Sequence, residues 1–194
     1  KLLYRRDFHR ILAKYGFGPL ATSGERGVEK ILHTTKQIGQ RVAELGRQIS
    51  SDYEAKEPVL VGVQRGMVCF MADLMREIAL PVGVDFMSIS HYAGDTSAVR
   101  VTKDLDMDIS GRDVLLVEDI IDTGLTMRYL MDNLATRRPK SMRVCTLLHR
   151  EGAGECHVPI DYTGFSFRDH YVIGYGLDYA GLHRNIPFIG YKAE

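Results

Sequence analysis

The chain has 194 residues, 25 Lys and Arg against 25 Asp and Glu, and is 45% hydrophobic and 26% charged. Such a chain is expected to fold as one soluble domain, or one domain with a small appendage, burying about 70% of its unfolded surface. A disordered tail and a disulfide-stapled miniature are excluded. Zero net charge argues against a protein that mainly coats nucleic acid, because that affinity comes from Lys and Arg neutralising phosphates, and no apolar run approaches the ~18 residues of a membrane span.

Residues 1–27 stand apart as an N-terminal extension. Leu3, Phe8, Ile11, Leu12 and Tyr15 recur near helical spacing among Arg5, Arg6, Arg10 and Lys14, and Gly16, Gly18, Pro19, Gly24 and Gly27 then break the pattern, which predicts a short helix and a loop. The basic residues read as a solvated helix face, with an anionic partner or a subunit interface as alternatives. No long apolar core of a signal peptide is present, so a cytoplasmic protein is expected.

The main body, residues 28–194, begins with a capping signal at Thr34 and Gln37. Ile38, Val42, Leu45 and Ile49 follow at i, i+4, i+7 and i+11, the stripe of an amphipathic helix. Val59–Val63 is short, apolar and β-branched, as suits a strand buried on both faces. After the Gln64-Arg65-Gly66 turn, Phe70, Met71, Leu74, Met75 and Ile78 mark a second amphipathic helix, and Val84–Ser90 a further strand. Residues 91–111 are small, polar and charged and read as a long loop, which in a compact domain suggests a lid. Val114–Val117 is another buried strand, Leu130, Met131 and Leu134 lie on a helix closed by Arg137, Arg138 and Pro139, and Arg143–Leu148 restores strand character. From Asp161 onward aromatics and glycines occur without helical period. Strand alternating with helix predicts an α/β domain with a mainly parallel central sheet flanked by helices. Cys69, Cys145 and Cys156 show no CxxC spacing, which predicts neither a zinc site nor a disulfide framework, and the first two read as small buried hydrophobes in a reducing compartment.

Ligands of such sheets collect beyond the carboxyl ends of the strands. There stands Val114-Leu-Leu-Val-Glu-Asp-Ile-Ile-Asp-Thr-Gly-Leu-Thr126. A buried strand delivers Glu118 and Asp119 to its tip, where unpaired carboxylates need solvent, a cation or hydroxyl groups. Asp122-Thr-Gly-Leu-Thr then opens a helix whose free amides favour an anion. An acidic pair beside an anion nest suits a sugar phosphate, although Asp-Thr-Gly alone is also a plain helix cap.

The whole string resembles the phosphoribosyl pyrophosphate (PRPP) motif of the type I phosphoribosyltransferases, in the wording of their hypoxanthine-guanine branch. Leu60-Val-Gly-Val, Met71-Ala-Asp-Leu, Val84-Asp-Phe-Met-Ser, Lys103-Asp-Leu-Asp, Asp161-Tyr-Thr-Gly-Phe and Val172-Ile-Gly-Tyr-Gly-Leu-Asp-Tyr-Ala180 follow in family order, so that the resemblance covers about residues 30–192. It implies the type I phosphoribosyltransferase fold with a small hood and a mobile lid loop, and an enzyme that joins a 6-oxopurine to ribose 5-phosphate and releases pyrophosphate.

Carried over, Glu118 and Asp119 would hold the ribose hydroxyls, partly through Mg²⁺, and Asp122, Thr123, Gly124, Leu125 and Thr126 would cradle the 5-phosphate. Asp122 would be the catalytic group that handles the proton on purine N7. Asp178 would reach the metal beside pyrophosphate and border the base, Arg65, Gly66 and Arg184 would serve the pyrophosphate side, and Arg150, Tyr171, Val172 and Ile173 would bind the base. His91 and Tyr92 would head the lid. The chain departs from the family's wording in three places. Gln64-Arg65-Gly66 replaces Leu-Lys-Gly, Arg150 replaces a lysine that donates to purine O6, and His91-Tyr92 replaces Ser-Tyr. Arginine keeps the charge but turns a point cation into a planar fork. The resemblance therefore implies Mg²⁺-dependent purine salvage in a homodimer or homotetramer. Two alternatives stay open: a paralogue with altered base preference such as xanthine, and a PRPP- or nucleotide-sensing regulator on the same fold.

Overall fold

The structure is a computed structural model that describes residues 28, 30–92, 95–152, 158–168 and 171–191, with the side chains of 91–98 excepted. The expected N-terminal helix and loop at 1–27 lie outside the described residues, as does Cys156.

Helix α1 (Thr35–Asp52) begins at the anticipated box: Gln37 N donates to Thr34 Oγ1 at 3.3 Å and Thr34 N donates to Gln37 Oε1 at 2.9 Å. Its stripe Ile38, Val42, Leu45 and Ile49 is buried to the last residue. Burial of one such side chain is worth about 1.5–3 kcal/mol. Strand β2 (Val59–Gln64) leads into α2 (Val68–Glu77), which crosses α1 so closely at Gly46 that a Cβ there would overlap Glu77. Strand β3 (Gly83–Tyr92), strand β5 (Asp113–Ile121), helix α3 (Leu125–Ala135), strand β6 (Ser141–Arg150) and strand β7 (Tyr162–Phe167) complete the frame.

Residues 91–111 are not the single loop that their polar composition suggests. Asp95–Lys103 forms β4, antiparallel to β3, with Ser90 opposite Arg100 and Ile89 opposite Val101. Val99 and Val101 alternate with Arg100 and Thr102 at the period of a half-buried strand, and Val101 packs on the core. Among the described residues of this range, the segment beyond Lys103 is irregular. It is anchored by the buried Asp85, whose Oδ2 accepts from Asp106 N and Met107 N, each at 2.8 Å.

The large sheet has the order β4-β3-β2-β5-β6-β7, parallel except for β4. Helices α1 and α2 cover one face, over Leu60, Leu115, Val117 and Leu147. Helix α3 covers the other, over Val61, Met87, Val114 and Leu116. Successive residues of Val114–Val117 thus enter opposite cores, which is why that stretch of β5 is apolar throughout. A small antiparallel sheet, β1 (Lys30–His33), β9 (Ile189–Tyr191) and β8 (Val172–Ile173), forms the expected hood. It is tied to α1 by Thr35 Oγ1 donating to Pro187 O at 2.7 Å. Strands β2 and β5 run parallel, but the chain adds β3 and β4 on one side of β2 and then β5, β6 and β7 on the other, so the Arg65 turn and the tip of β5 share the switch point where α/β sheets bind ligands.

Candidate active site

Alternation along β5 turns Glu118 toward α3 and Asp119 toward the Gly66 turn. Burial raises the Glu118 carboxyl well above the usual range, with neighbouring Asp119 adding to it, and its buried Oε2 has no hydrogen-bond partner. Asp119 is pushed up to about 6, chiefly by burial and further by Asp178, against the opposing pull of the Ile120 amide and Arg184. The Ile120 N–H donates to Asp119 Oδ1 at 2.9 Å.

Beyond the strand, Gly124 takes φ 80°, which glycine tolerates, and as N-cap it offers α3 no side chain, the Thr123 hydroxyl accepting from Leu125 N at only a long 3.5 Å. The first-turn amides of α3 are therefore open to an anion. They face a cleft of about 210 Å³ lined by Glu118–Gly124, Thr126, Met127 and Ile89. Leu125 does not line it, and its side chain is exposed.

A second cavity of about 260 Å³ is walled by Asp119, Ile120, Asp122, Arg150, Tyr171, Val172, Leu177 and Asp178. It shares Asp119, Ile120 and Asp122 with the first. Arg150 Nε stands 3.5 Å from Asp122 Oδ1, and its guanidinium lies over the Phe167 ring. Tyr171 presents a half-exposed ring, held by its hydroxyl donating to Asp178 O at 3.0 Å and by an edge contact with Tyr179. Ile173 does not wall the cavity; it packs inward against Val28 and Ile186.

Gly66 lies directly beneath the Asp119 carboxylate, where a Cβ would overlap Oδ2, while Arg65 is exposed on the turn. Arg184 is turned inward. Its Nη2 meets Asp178 Oδ1 at 2.7 Å and its Nη1 donates to Gly176 O at 2.6 Å. Asp178 Oδ2 accepts from Gly181 N at 2.8 Å. His91 and Tyr92 end β3, and their side chains lie outside the described residues.

The donor set fits a divalent cation that is shared with substrate. Glu118 and Asp119 hold buried negative charge with little protein compensation, yet the described residues assemble no complete cage of three or more ligands. Mg²⁺ characteristically binds through one or two carboxylates and completes its shell with phosphate oxygens and water.

Residues 29–180 match the phosphoribosyl transferase domain family. The chain belongs to that family. It is 46% identical over 172 residues to the hypoxanthine-guanine phosphoribosyltransferase of Mycobacterium avium, covering 84% of this chain and 85% of that protein. With the hypoxanthine phosphoribosyltransferase of Salmonella typhimurium it shares 48% over 159 residues, 79% of this chain and 89% of that protein. The crystal structure of a hypoxanthine-guanine phosphoribosyltransferase from Bacillus anthracis, with HEPES in its active site, superposes with a TM-score of 0.84 at 38% identity, over 86% of this chain and 99% of that one. Within this phosphoribosyltransferase, Ile89, Ile120, Leu177 and Phe167 escaped the sequence reading. Nothing marks them locally, since each is an ordinary apolar residue whose place at the cavities, or for Phe167 beneath Arg150, depends on distant chain.

Proposed function

We propose that the chain is a purine-salvage enzyme that transfers the 5-phosphoribosyl group of PRPP to N9 of hypoxanthine, and of guanine, giving IMP or GMP and pyrophosphate. The observation that carries this reading is the pair of adjoining cavities with Asp119, Ile120 and Asp122 as their common wall. One opens on an uncapped helix start and the other on an aromatic ring and a guanidinium. A phosphoribosyl group in the first and a purine in the second would meet at that wall.

The α3 amides with the Thr123 and Thr126 hydroxyls hold the 5-phosphate. Glu118 and Asp119 receive the ribose hydroxyls, and Tyr171 stacks on the purine beside the Val172 backbone. Arg150 donates to O6. As the C1–N9 bond forms and the bond from C1 to the pyrophosphate oxygen breaks, positive charge develops on the ribose ring, and Asp122 takes the proton from purine N7. Arg65, Gly66 and Arg184 lie toward the departing pyrophosphate. Glu118, Asp119 and Asp178 would hold Mg²⁺, which would supply charge neutralisation for that leaving group. The β3–β4 hairpin carries His91 and Tyr92 and serves as the lid that excludes water. The enzyme works in the cytoplasm as a homodimer or homotetramer. Among the described residues no helix is long and apolar enough to cross a membrane.

Arg150 favours a second reading, in which base choice is shifted, for example toward xanthine. An absorbance assay with PRPP, Mg²⁺ and hypoxanthine, guanine, xanthine or adenine, repeated with EDTA, separates the readings. Metal-dependent turnover of hypoxanthine supports salvage, and turnover of xanthine alone moves the substrate. Silence with every base despite PRPP binding points to a sensor.

A further inference from the structure

The turn Gly174-Tyr175-Gly176 carries three successive positive φ values, 95°, 52° and 104°. Glycine adopts that region freely, whereas a tyrosine stays there only where its surroundings hold it. Two contacts do so. Tyr175 N donates to Ile186 O at 2.7 Å, and the Tyr175 hydroxyl donates to Asp73 Oδ2 on α2 at 2.6 Å. A bond of that length to a carboxylate is among the stronger neutral-to-ion contacts; its Tyr175 end is buried, at 8% exposure, while Asp73 lies nearer the surface and also pairs with Arg76.

The turn so held touches both halves of the site. Gly176 presses on the Gly66 carbonyl so closely that a Cβ would overlap it, and Gly66 presses in the same way on Asp119. On the other side, Arg184 links the Gly176 carbonyl to Asp178. Helix α2, which carries Asp73, follows directly from the Arg65–Gly66 turn, where Val68 N donates to Arg65 O at 3.3 Å. Contacts therefore form a closed circuit from Gly66 through α2, Asp73, Tyr175 and Gly176 back to Gly66.

We propose that Tyr175 and Asp73 form a positioning pin that sets the Arg65–Gly66 turn and the Asp119 carboxylate for PRPP. The pin rests on the reading of the site as a PRPP site. It acts through the backbone and touches no substrate. The circuit includes the Gly66 turn but not Arg150 or Tyr171, so the pin acts chiefly on the PRPP side, although Val172, Leu177 and Asp178 beside the turn also wall the purine cavity.

The test compares the full chain with Tyr175→Phe, Asp73→Ala and Asp73→Asn in steady-state kinetics and in calorimetric titration with magnesium PRPP alone. Tyr175→Phe keeps the buried ring, and Asp73→Asn keeps an acceptor for the hydroxyl. In Tyr175→Phe and Asp73→Ala, KM and Kd for PRPP rise about tenfold, as expected for losing a charge-assisted bond, while KM for hypoxanthine stays within about twofold. Asp73→Asn restores most of the PRPP affinity. Variants that lose only thermal stability and bind PRPP as the parent does would overturn the pin, and so would a change confined to the base. A parent that binds PRPP but turns over no base would instead defeat the proposed activity, with the calorimetric comparison still deciding the pin.

Discussion

Arg150 and Asp122 form an ion pair across the carboxyl ends of adjacent parallel strands, with Nε 3.5 Å from Oδ1. The register that sets Ile121 opposite His149 brings them level, and Phe167 on β7 lies 5.3 Å beneath the guanidinium. The residue proposed to read purine O6 thus already touches the residue proposed to take the N7 proton. A planar fork can face a ring and a carboxylate together, which the point charge of a lysine cannot match.

Arg150→Lys is expected to keep the fold and the phosphoribosyl transfer while changing the ranking of bases. Losing the ring contact, worth about 0.5–1 kcal/mol at an accessible site, should raise KM for hypoxanthine several-fold and alter the hypoxanthine-to-guanine ratio of kcat/KM. Matching base profiles for parent and variant would show that the substitution is neutral for recognition.

Asp122→Asn preserves the shape of the side chain and removes its capacity to accept a proton. Turnover should fall by about 10²–10⁴, the usual contribution of a general base, with KM for PRPP changed only modestly. Single-turnover measurement with saturating substrates checks this, and an undiminished chemical step would take Asp122 out of the base role.

The carboxylates at the tip of β5 should make stability and ligand affinity respond to pH in opposite directions. Folded Asp119 keeps its proton up to about 6, against an ordinary value of 3.8, and Glu118 is raised as well. Across that window these two carboxyls bind more protons in the folded chain than in the unfolded one, so their contribution to the stability of the free protein falls as pH rises, with the lowered His33 opposing it near the top of the window. Cation binding needs the ionised carboxylates and strengthens over the same window. Asp104 and Asp113, whose carboxyls are lowered, contribute in the opposite sense, but below the window. Thermal melts at several pH values, with and without magnesium PRPP, should converge at low pH and separate above about 6.

Glu118→Gln should stabilise the free protein at alkaline pH, where ionising the buried Glu118 carboxyl costs free energy that a neutral amide does not. The same change should weaken PRPP binding. Denaturant melts and titration together check the pair of outcomes, and a variant destabilised at that pH would count against the cost of the buried charge.

Gly66→Ala places a Cβ on Asp119 Oδ2. Either the turn or the carboxylate must shift, and a misplacement of about 1 Å can cost around 10²-fold in rate. The far-ultraviolet circular dichroism should stay that of the parent while kcat/KM for PRPP drops.

Much of this molecule is written in short stretches of chain. The Thr34–Gln37 box, the Ile38–Ile49 stripe and the apolar runs Val59–Val63 and Val114–Val117 declare themselves because helix caps, helix faces and doubly buried strands each need a characteristic residue at a fixed local spacing. The β5 string likewise announces acidic groups beside an anion nest, since both sit on consecutive residues at one strand end. Strand β4 was less legible: only Val99 and Val101 carry its alternation, amid polar residues that read as loop.

Other features exist only once distant segments meet. The hood pairs Lys30 with Tyr191, strands too short to show a period of their own. Arg184 is directed inward to Asp178 and the Gly176 carbonyl, although its charge alone suited a pyrophosphate contact. Gly66 and Gly176 meet where neither has room for a side chain, and burial is the main cause that raises Glu118 and Asp119. Periodicity and capping are short-range and survive in the sequence, whereas desolvation and close packing depend on which surfaces the fold brings together.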